Sequence, residues 1–128
     1  MNRVLENLRY AKSHEWVEFK SDTTALVGIS DFAQQALGDI VFINLPDIGD
    51  EVTAGASLGD IESVKAVSDI LSPVSGVVTA VNQEVIDQPE RINGNPYENW
   101  LVEVSEITAK SDLMQATEYE AFCKEEAH

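Results

Sequence analysis

Apolar and polar residues alternate in short runs, and Gly, Pro, Asn or Asp breaks the runs every few positions. Residues 10–20 set the pattern: in an extended chain Glu15, Val17 and Phe19 share one face, while His14 and Trp16 share the other. Ser21-Asp22 reads as a turn, and Thr24-Ala25-Leu26-Val27-Gly28-Ile29 as the second strand of a hairpin. Ser30 offers an N-cap with Asp31 in the first turn; Phe32, Ala36 and Leu37 form an apolar face, and Gly38 suits a C-terminus, which predicts a helix of about two turns.

Ile40-Val41-Phe42-Ile43-Asn44-Leu45 is a further strand, closed by the turn residues Pro46-Asp47-Ile48-Gly49-Asp50. Glu51-Val52 and Ser57-Leu58 flank Ala54-Gly55, then come Ile70-Leu71, Pro73 and the β-rich run Gly76-Val77-Val78-Thr79-Ala80-Val81-Asn82. Residues 85–99, rich in Pro, Asn, Asp and Gly, read as a long ordered loop before the strand Trp100-Leu101-Val102-Glu103-Val104. Ser111-Asp112 caps a last segment in which Leu113, Ala116, Tyr119 and Phe122 recur at helical spacing, predicting a core-facing helix over about residues 112–125. Nothing between the strands is long enough for a crossover helix, so the expected class is mainly β, a barrel or sandwich of short antiparallel strands.

The centre of the chain is a near-palindrome, Glu62-Ser63-Val64-Lys65-Ala66-Val67-Ser68-Asp69. With Lys65-Ala66 as a two-residue loop, Val64 faces Val67, Ser63 faces Ser68 and Glu62 faces Asp69, leaving Lys65 alone at a hairpin tip. A weak echo, Gly49-Asp-Glu-Val-Thr-Ala against Gly76-Val-Val-Thr-Ala-Val, suggests two half-motifs in two sheets that meet at this tip.

The length fits one domain over residues 1–128, with a globular share of apolar residues and no run long enough to span a membrane. Eight basic against twenty-three acidic residues leave a net charge of −15, which repels phosphate backbones and argues against nucleic acid or anionic membranes as partners. The N-terminal residues carry no apolar or basic amphipathic address, so a bacterial cytoplasmic location is expected, or the mitochondrial matrix if the chain is a processed one. A single cysteine, Cys123, excludes an internal disulfide and suits a reducing compartment.

Catalytic chemistry finds little to work with. The only histidines are His14 and the terminal His128, so neither Cys123 nor a serine has a visible activating base, and no metal-ligand or phosphate-cradling spacing occurs. His14 reads as an ordinary strand residue able to serve as a hydrogen-bond partner. Lys65, bracketed by Glu62 and Asp69, is kept charged by those neighbours, so it suits modification by another enzyme better than service as a Schiff-base nucleophile.

Those eight residues, followed by Ser72-Pro-Val-Ser-Gly76, closely resemble the lipoyl-attachment motif of the H proteins of the glycine cleavage system. The resemblance continues through Ser13-His-Glu-Trp16, Val27-Gly-Ile-Ser-Asp-Phe-Ala-Gln34, Leu37-Gly-Asp-Ile-Val-Phe42, Leu45-Pro46, Asn93, Pro96-Tyr97, Trp100 and Ala116-Thr-Glu-Tyr-Glu120, spanning about residues 8–124. One departure is visible: the family's Pro-Tyr-x-x-Gly-Trp stretch is here Pro96-Tyr97-Glu98-Asn99-Trp100, one residue shorter and without the Gly.

The resemblance implies the barrel-sandwich hybrid of lipoyl and biotinyl carriers and a carrier rather than an enzyme, with lipoate in amide linkage on Lys65. The arm would take an aminomethyl group from a pyridoxal-phosphate glycine decarboxylase (P protein) to a tetrahydrofolate-dependent aminomethyltransferase (T protein), and electrons to dihydrolipoyl dehydrogenase (L protein). A lipoate-attaching enzyme completes the implied partners, and a monomer is expected. The family's arm cleft, a Ser-x-Glu on the first strand and an Asp after the lysine, maps to Ser13, Glu15 and Asp69. Glu62 and Gly76 map to recognition by the lipoate-attaching enzyme, Glu62 being alternatively a solvated side chain. Competing expectations are an H-like protein relaying lipoate to other enzymes and a biotin carrier. The latter typically sets its lysine between methionines, whereas here the flanks are Val64 and Ala66.

Overall fold

Short β-branched runs separated by turns can bury their apolar faces only by pairing and stacking, and the computed structural model, which describes residues 3–126, shows how. His128 lies outside the described residues. In chain order the elements are β1 (Arg9–Tyr10), β2 (Glu15–Phe19), β3 (Ala25–Ile29), α1 (Asp31–Leu37), β4 (Ile40–Asn44), β5 (Glu51–Val52), β6 (Ser57–Ser63) and β7 (Val67–Leu71). They continue with β8 (Val74–Val81), α2 (Gln83–Asp87), α3 (Arg91–Gly94), β9 (Val102–Lys110) and α4 (Ala116–Glu126). Every strand pair is antiparallel.

Two sheets result, ordered β1-β2-β3-β9-β8-β5 and β4-β6-β7. Between them lies one apolar core, to which Val27, Ile43, Ile61, Ile70, Val78 and Val104 contribute from both sheets. This is the expected mainly β class with short helices. A second cluster forms on the outer face of the larger sheet, where α4 lays Ala116, Tyr119 and Cys123 against Tyr10 and Trp16. Gly28 makes this possible: a Cβ there would stand 2.4 Å from the Trp16 ring, whose Nε1–H donates to the Pro96 carbonyl at 3.1 Å.

Three expectations change. The stretch 85–99 is not one loop, because α2, capped by the Asn82 side chain, and α3 fold part of it, burying Val85 and Ile92. The last helix begins at Ala116 rather than near residue 112, since Met114 is drawn into a backbone bridge with Tyr10. The echo segments do not lie in separate sheets meeting at the lysine; they pair with each other at the edge of the larger sheet, Glu51 opposite Val77 and Val52 opposite Gly76.

The shortened 96–100 stretch is tied down without its Gly. Asn99 donates from its side chain to the carbonyls of Arg91 and Asn95, and the Trp100 carbonyl accepts from the Asn82 side chain. No helix among the described residues is long and apolar enough to cross a membrane.

Candidate functional site

The central hairpin forms, but not in the palindromic register. Glu62 pairs with Val67, Ile61 with Ser68 and Asp60 with Asp69, so the turn contains Ser63, Val64, Lys65 and Ala66. The physical reason is backbone cost. A two-residue hairpin loop needs positive φ at Lys65, and the common form needs it at Ala66 too, a conformation expensive for residues with a Cβ. Neither residue has positive φ. Instead the Ser63 hydroxyl accepts from the amides of both Lys65 and Ala66 at 3.1 Å, and the Ser63 amide donates to the Ala66 carbonyl at 2.8 Å.

The changed register moves the like-charge contact. Asp69 opposes Asp60, not Glu62, and an Asp60 oxygen accepts from the Asn44 side-chain amide at 2.8 Å, which partly offsets the repulsion. Glu62, half-buried, sits between Val67 and Phe42 of the neighbouring strands.

Lys65 is exposed at the tip, with Val64 and Val67 also about two-thirds exposed beside it. The tip is seated on the junction of α1 and β4: the Val64 amide donates to the Asp39 carbonyl at 3.0 Å, and the lysine stem lies across Gly38. A Cβ on Gly38 would come within 2.8 Å of Lys65 Cε, and its φ of +78° favours glycine there independently. Sequence reasoning gave Asn93 no role in this seat. Its side chain donates to the Gly38 carbonyl and to Gln34, and accepts from the Ile40 amide, fixing the junction on both sides. Only long-range contact reveals this, for Asn93 is 28 residues beyond the lysine.

Ser13 and Glu15 come together at the other end of β7. The Ser13 hydroxyl donates to Glu15 Oε1, and the Leu71 amide donates to Glu15 Oε2 at 3.2 Å. Strand β7 therefore runs from the lysine tip past exposed Asp69 to the Glu15 carboxyl, at most about 20 Å at ordinary strand rise. A cavity of about 290 Å³ opens here, lined among others by Ser13, Leu71, Ser72 and Gly55. A larger groove, about 770 Å³, lies elsewhere, near Arg9, Phe19 and Lys110, and includes none of the candidate residues.

Glu15 is 2% exposed, and among the described residues no Lys, Arg or His side chain lies within ion-pair distance of it. Burial pushes its carboxyl up to about 7, although the bonds from Ser13 and Leu71 pull the other way. A nearby ammonium would favour the ionised form, so this carboxyl is chemically matched to a cation.

His14, between these two residues, is not the strand residue expected. The His14 amide donates to the Ala11 carbonyl and the Ala11 amide to the Glu15 carbonyl, both at 2.9 Å, closing a three-residue hairpin loop. His14 takes its left-handed last position with φ 77°, at a cost of about 1 kcal/mol for a residue with a Cβ. It does serve as a hydrogen-bond partner: its ring nitrogens meet the Tyr119 hydroxyl and the Glu126 carboxylate.

Gly76 lies in β8, in the other sheet from Lys65. Packing accounts for it, since a Cβ would stand 2.5 Å from the Ser105 carbonyl oxygen. Among the described residues no group of His, Cys, Asp or Glu side chains is placed to hold a metal ion.

Comparison with known proteins gives a consistent result. A family model described as Glycine cleavage H-protein matches residues 8–126. The glycine cleavage system H protein of Lachnoclostridium phytofermentans is 55% identical over 124 residues, covering 97% of this chain and 98% of the relative. That of Coprothermobacter proteolyticus is 49% identical over 126 residues, covering 96% and 99%. The crystal structure of a glycine cleavage system H protein from Mycobacterium marinum superposes with a TM-score of 0.88 at 39% identity, covering 92% of this chain and 97% of that one.

Proposed function

The chain belongs to the glycine cleavage H-protein family, carriers of the glycine cleavage system, and we propose that Lys65 is its point of lipoate attachment. In this reading the protein shuttles an aminomethyl group from the pyridoxal-phosphate glycine decarboxylase to the tetrahydrofolate-dependent aminomethyltransferase. It then passes electrons to dihydrolipoyl dehydrogenase. When bound, lipoate supplies a dithiolane that carries the aminomethyl group and two electrons.

The residues present fit that group. Lys65 offers an exposed primary amine on a turn held by Ser63 and seated on Gly38 and Asp39, which leaves the amine open to a lipoate-attaching enzyme. Glu62, beside the tip, is assigned to recognition by that enzyme, and Gly76 to the same role through the strand it lets pack closely. Ser13, Glu15 and Asp69 hold the cationic end of the loaded arm: Glu15 accepts from the ammonium, Ser13 orients the Glu15 carboxyl, and Asp69 adds negative charge on the strand leading to it. Seating the ammonium beside a buried carboxyl also shields the cargo from water.

The observation that carries the reading is Glu15, a buried carboxyl held by Ser13 and Leu71 with no cation within ion-pair distance among the described residues, at the far end of the strand that begins at the lysine turn. Exchange of bicarbonate into the glycine carboxyl, catalysed by the decarboxylase, tests the proposal. Lipoylated protein is expected to support exchange and Lys65→Arg to abolish it. Lipoylated protein that supports none would instead fit a carrier that only relays lipoate.

A further inference from the structure

A three-residue hairpin loop asks for a left-handed last residue, a place that Gly or Asn fills at least cost. Here it holds His14, whose ring is engaged on every side. Nδ1 lies 2.7 Å from the Tyr119 hydroxyl and Nε2 lies 2.6 Å from a Glu126 carboxylate oxygen. The ring stacks on Phe32 at 4.6 Å and tilts against Phe122 at 5.8 Å. Tyr119, Phe122 and Glu126 come from α4, and Phe32 from α1.

The Tyr119 hydroxyl also lies 2.6 Å from Ser30 Oγ, the N-cap of α1, and the Ser30 amide donates back to the His14 carbonyl at 2.9 Å. One loop residue thus fastens to both helices. Its two neighbours do something else: Ser13 donates to Glu15, and Glu15 accepts from the amide of Leu71, a residue that lines the cavity together with Ser13.

We propose that His14 is a positioning residue for the Ser13–Glu15 pair: α4, acting through the His14 ring, holds the loop in the turn that sets the Ser13 hydroxyl on the Glu15 carboxyl. The value of that placement rests on the arm-pocket reading above; the placement itself does not. A glycine would satisfy the turn yet leave it untied to α4. A histidine without α4 would hold a strained backbone with nothing to offset the strain.

The test begins with unlipoylated protein, where no arm is involved. Two reporters follow Glu15 directly: hydrogen exchange at the Leu71 amide, which Glu15 accepts, and the titration midpoint of the Glu15 side-chain carboxyl carbon by NMR. His14→Gly keeps the turn and removes the ring. Tyr119→Phe keeps the ring and removes one of its two hydrogen-bond partners on α4, together with the link to Ser30; it carries the test alone if the glycine variant fails to fold.

Both variants are expected to speed Leu71 exchange by about tenfold and to lower the Glu15 midpoint by about one pH unit as water reaches it. If α4 amides exchange faster while Leu71 and the Glu15 midpoint stay unchanged, His14 only anchors the helix and the proposal is overturned. In lipoylated protein the same variants should shorten the lifetime of the aminomethyl cargo. A displaced Glu15 with an unchanged lifetime would overturn the arm pocket and leave the positioning of Glu15 standing.

Discussion

Replacing Glu15 with Gln should stabilise the protein at neutral pH while damaging its function, and the structure sets the size of the effect. Gln keeps an oxygen to accept from Leu71 and removes the ionisation that burial makes costly. The Glu15 carboxyl titrates at about 7 in the folded chain against 4.5 as its ordinary value. Below pH 4.5 both folded and unfolded chains hold the proton, and nothing is lost. Between 4.5 and 7 the unfolded chain releases its proton first, so stability falls as pH rises; above 7 the loss is complete.

That interval, at about 1.4 kcal/mol per pH unit, makes the loss roughly 3 kcal/mol, with little solvent screening at 2% exposure. Urea denaturation of wild type and Glu15→Gln across pH 4 to 8 reads it. The difference cancels the pH dependence of the other carboxylates, a needed control in a chain of net charge −15. The variant's advantage should be near zero in acid and grow to about 3 kcal/mol by pH 8. A gap that does not change with pH, or one that closes as pH rises, would show that Glu15 is not a buried carboxyl of this kind.

The same variant, once lipoylated, should shorten the hydrolytic lifetime of the aminomethyl cargo; an unaltered lifetime would remove Glu15 from the arm pocket. Gly28→Ala puts a Cβ 2.4 Å from the pinned Trp16 ring and should cost about 1–3 kcal/mol in denaturant unfolding, so a loss under about 0.5 kcal/mol would count against the packing described. Asn93→Ala leaves the Ile40 amide and the Gly38 carbonyl without their partner, an expected cost of about 1–3 kcal/mol, and should slow lipoate attachment at Lys65. Attachment at the wild-type rate would separate Asn93 from the lysine seat.

The hairpin's place was legible because β-rich runs flank a polar, lysine-bearing turn, but its register was not. Register was decided by the Ser63 side chain accepting two amides, a contact no alternation pattern encodes. The helices at Gln83–Asp87 and Arg91–Gly94 leave no signal in the sequence because so few residues show no apolar period; their order comes from Val85 and Ile92 reaching the core. The start of α4 moved because an interstrand bridge at Met114 outcompeted the cap at Ser111-Asp112.

Within the site, resemblance alone pointed to Ser13, Glu15 and Asp69, since isolated polar residues carry no periodic signal. That Glu15 is buried on the Leu71 amide, that Asn93 braces the lysine seat, and that the His14 ring is fastened to α4 all depend on contacts distant in sequence. The C-terminal apolar stripe was readable as core, its Ala116 and Tyr119 being buried, because packing leaves a sequence pattern where isolated polar residues do not.

The proposed shuttle depends first on lipoate at Lys65. Intact mass followed by peptide mapping of protein made in a lipoate-replete host addresses it directly. One lipoyl increment is expected, on the peptide containing Lys65, and none in Lys65→Arg. A biotinyl increment, a lipoyl group on any other lysine, or a Lys65 that stays unmodified beside an active lipoate-attaching enzyme would contradict it.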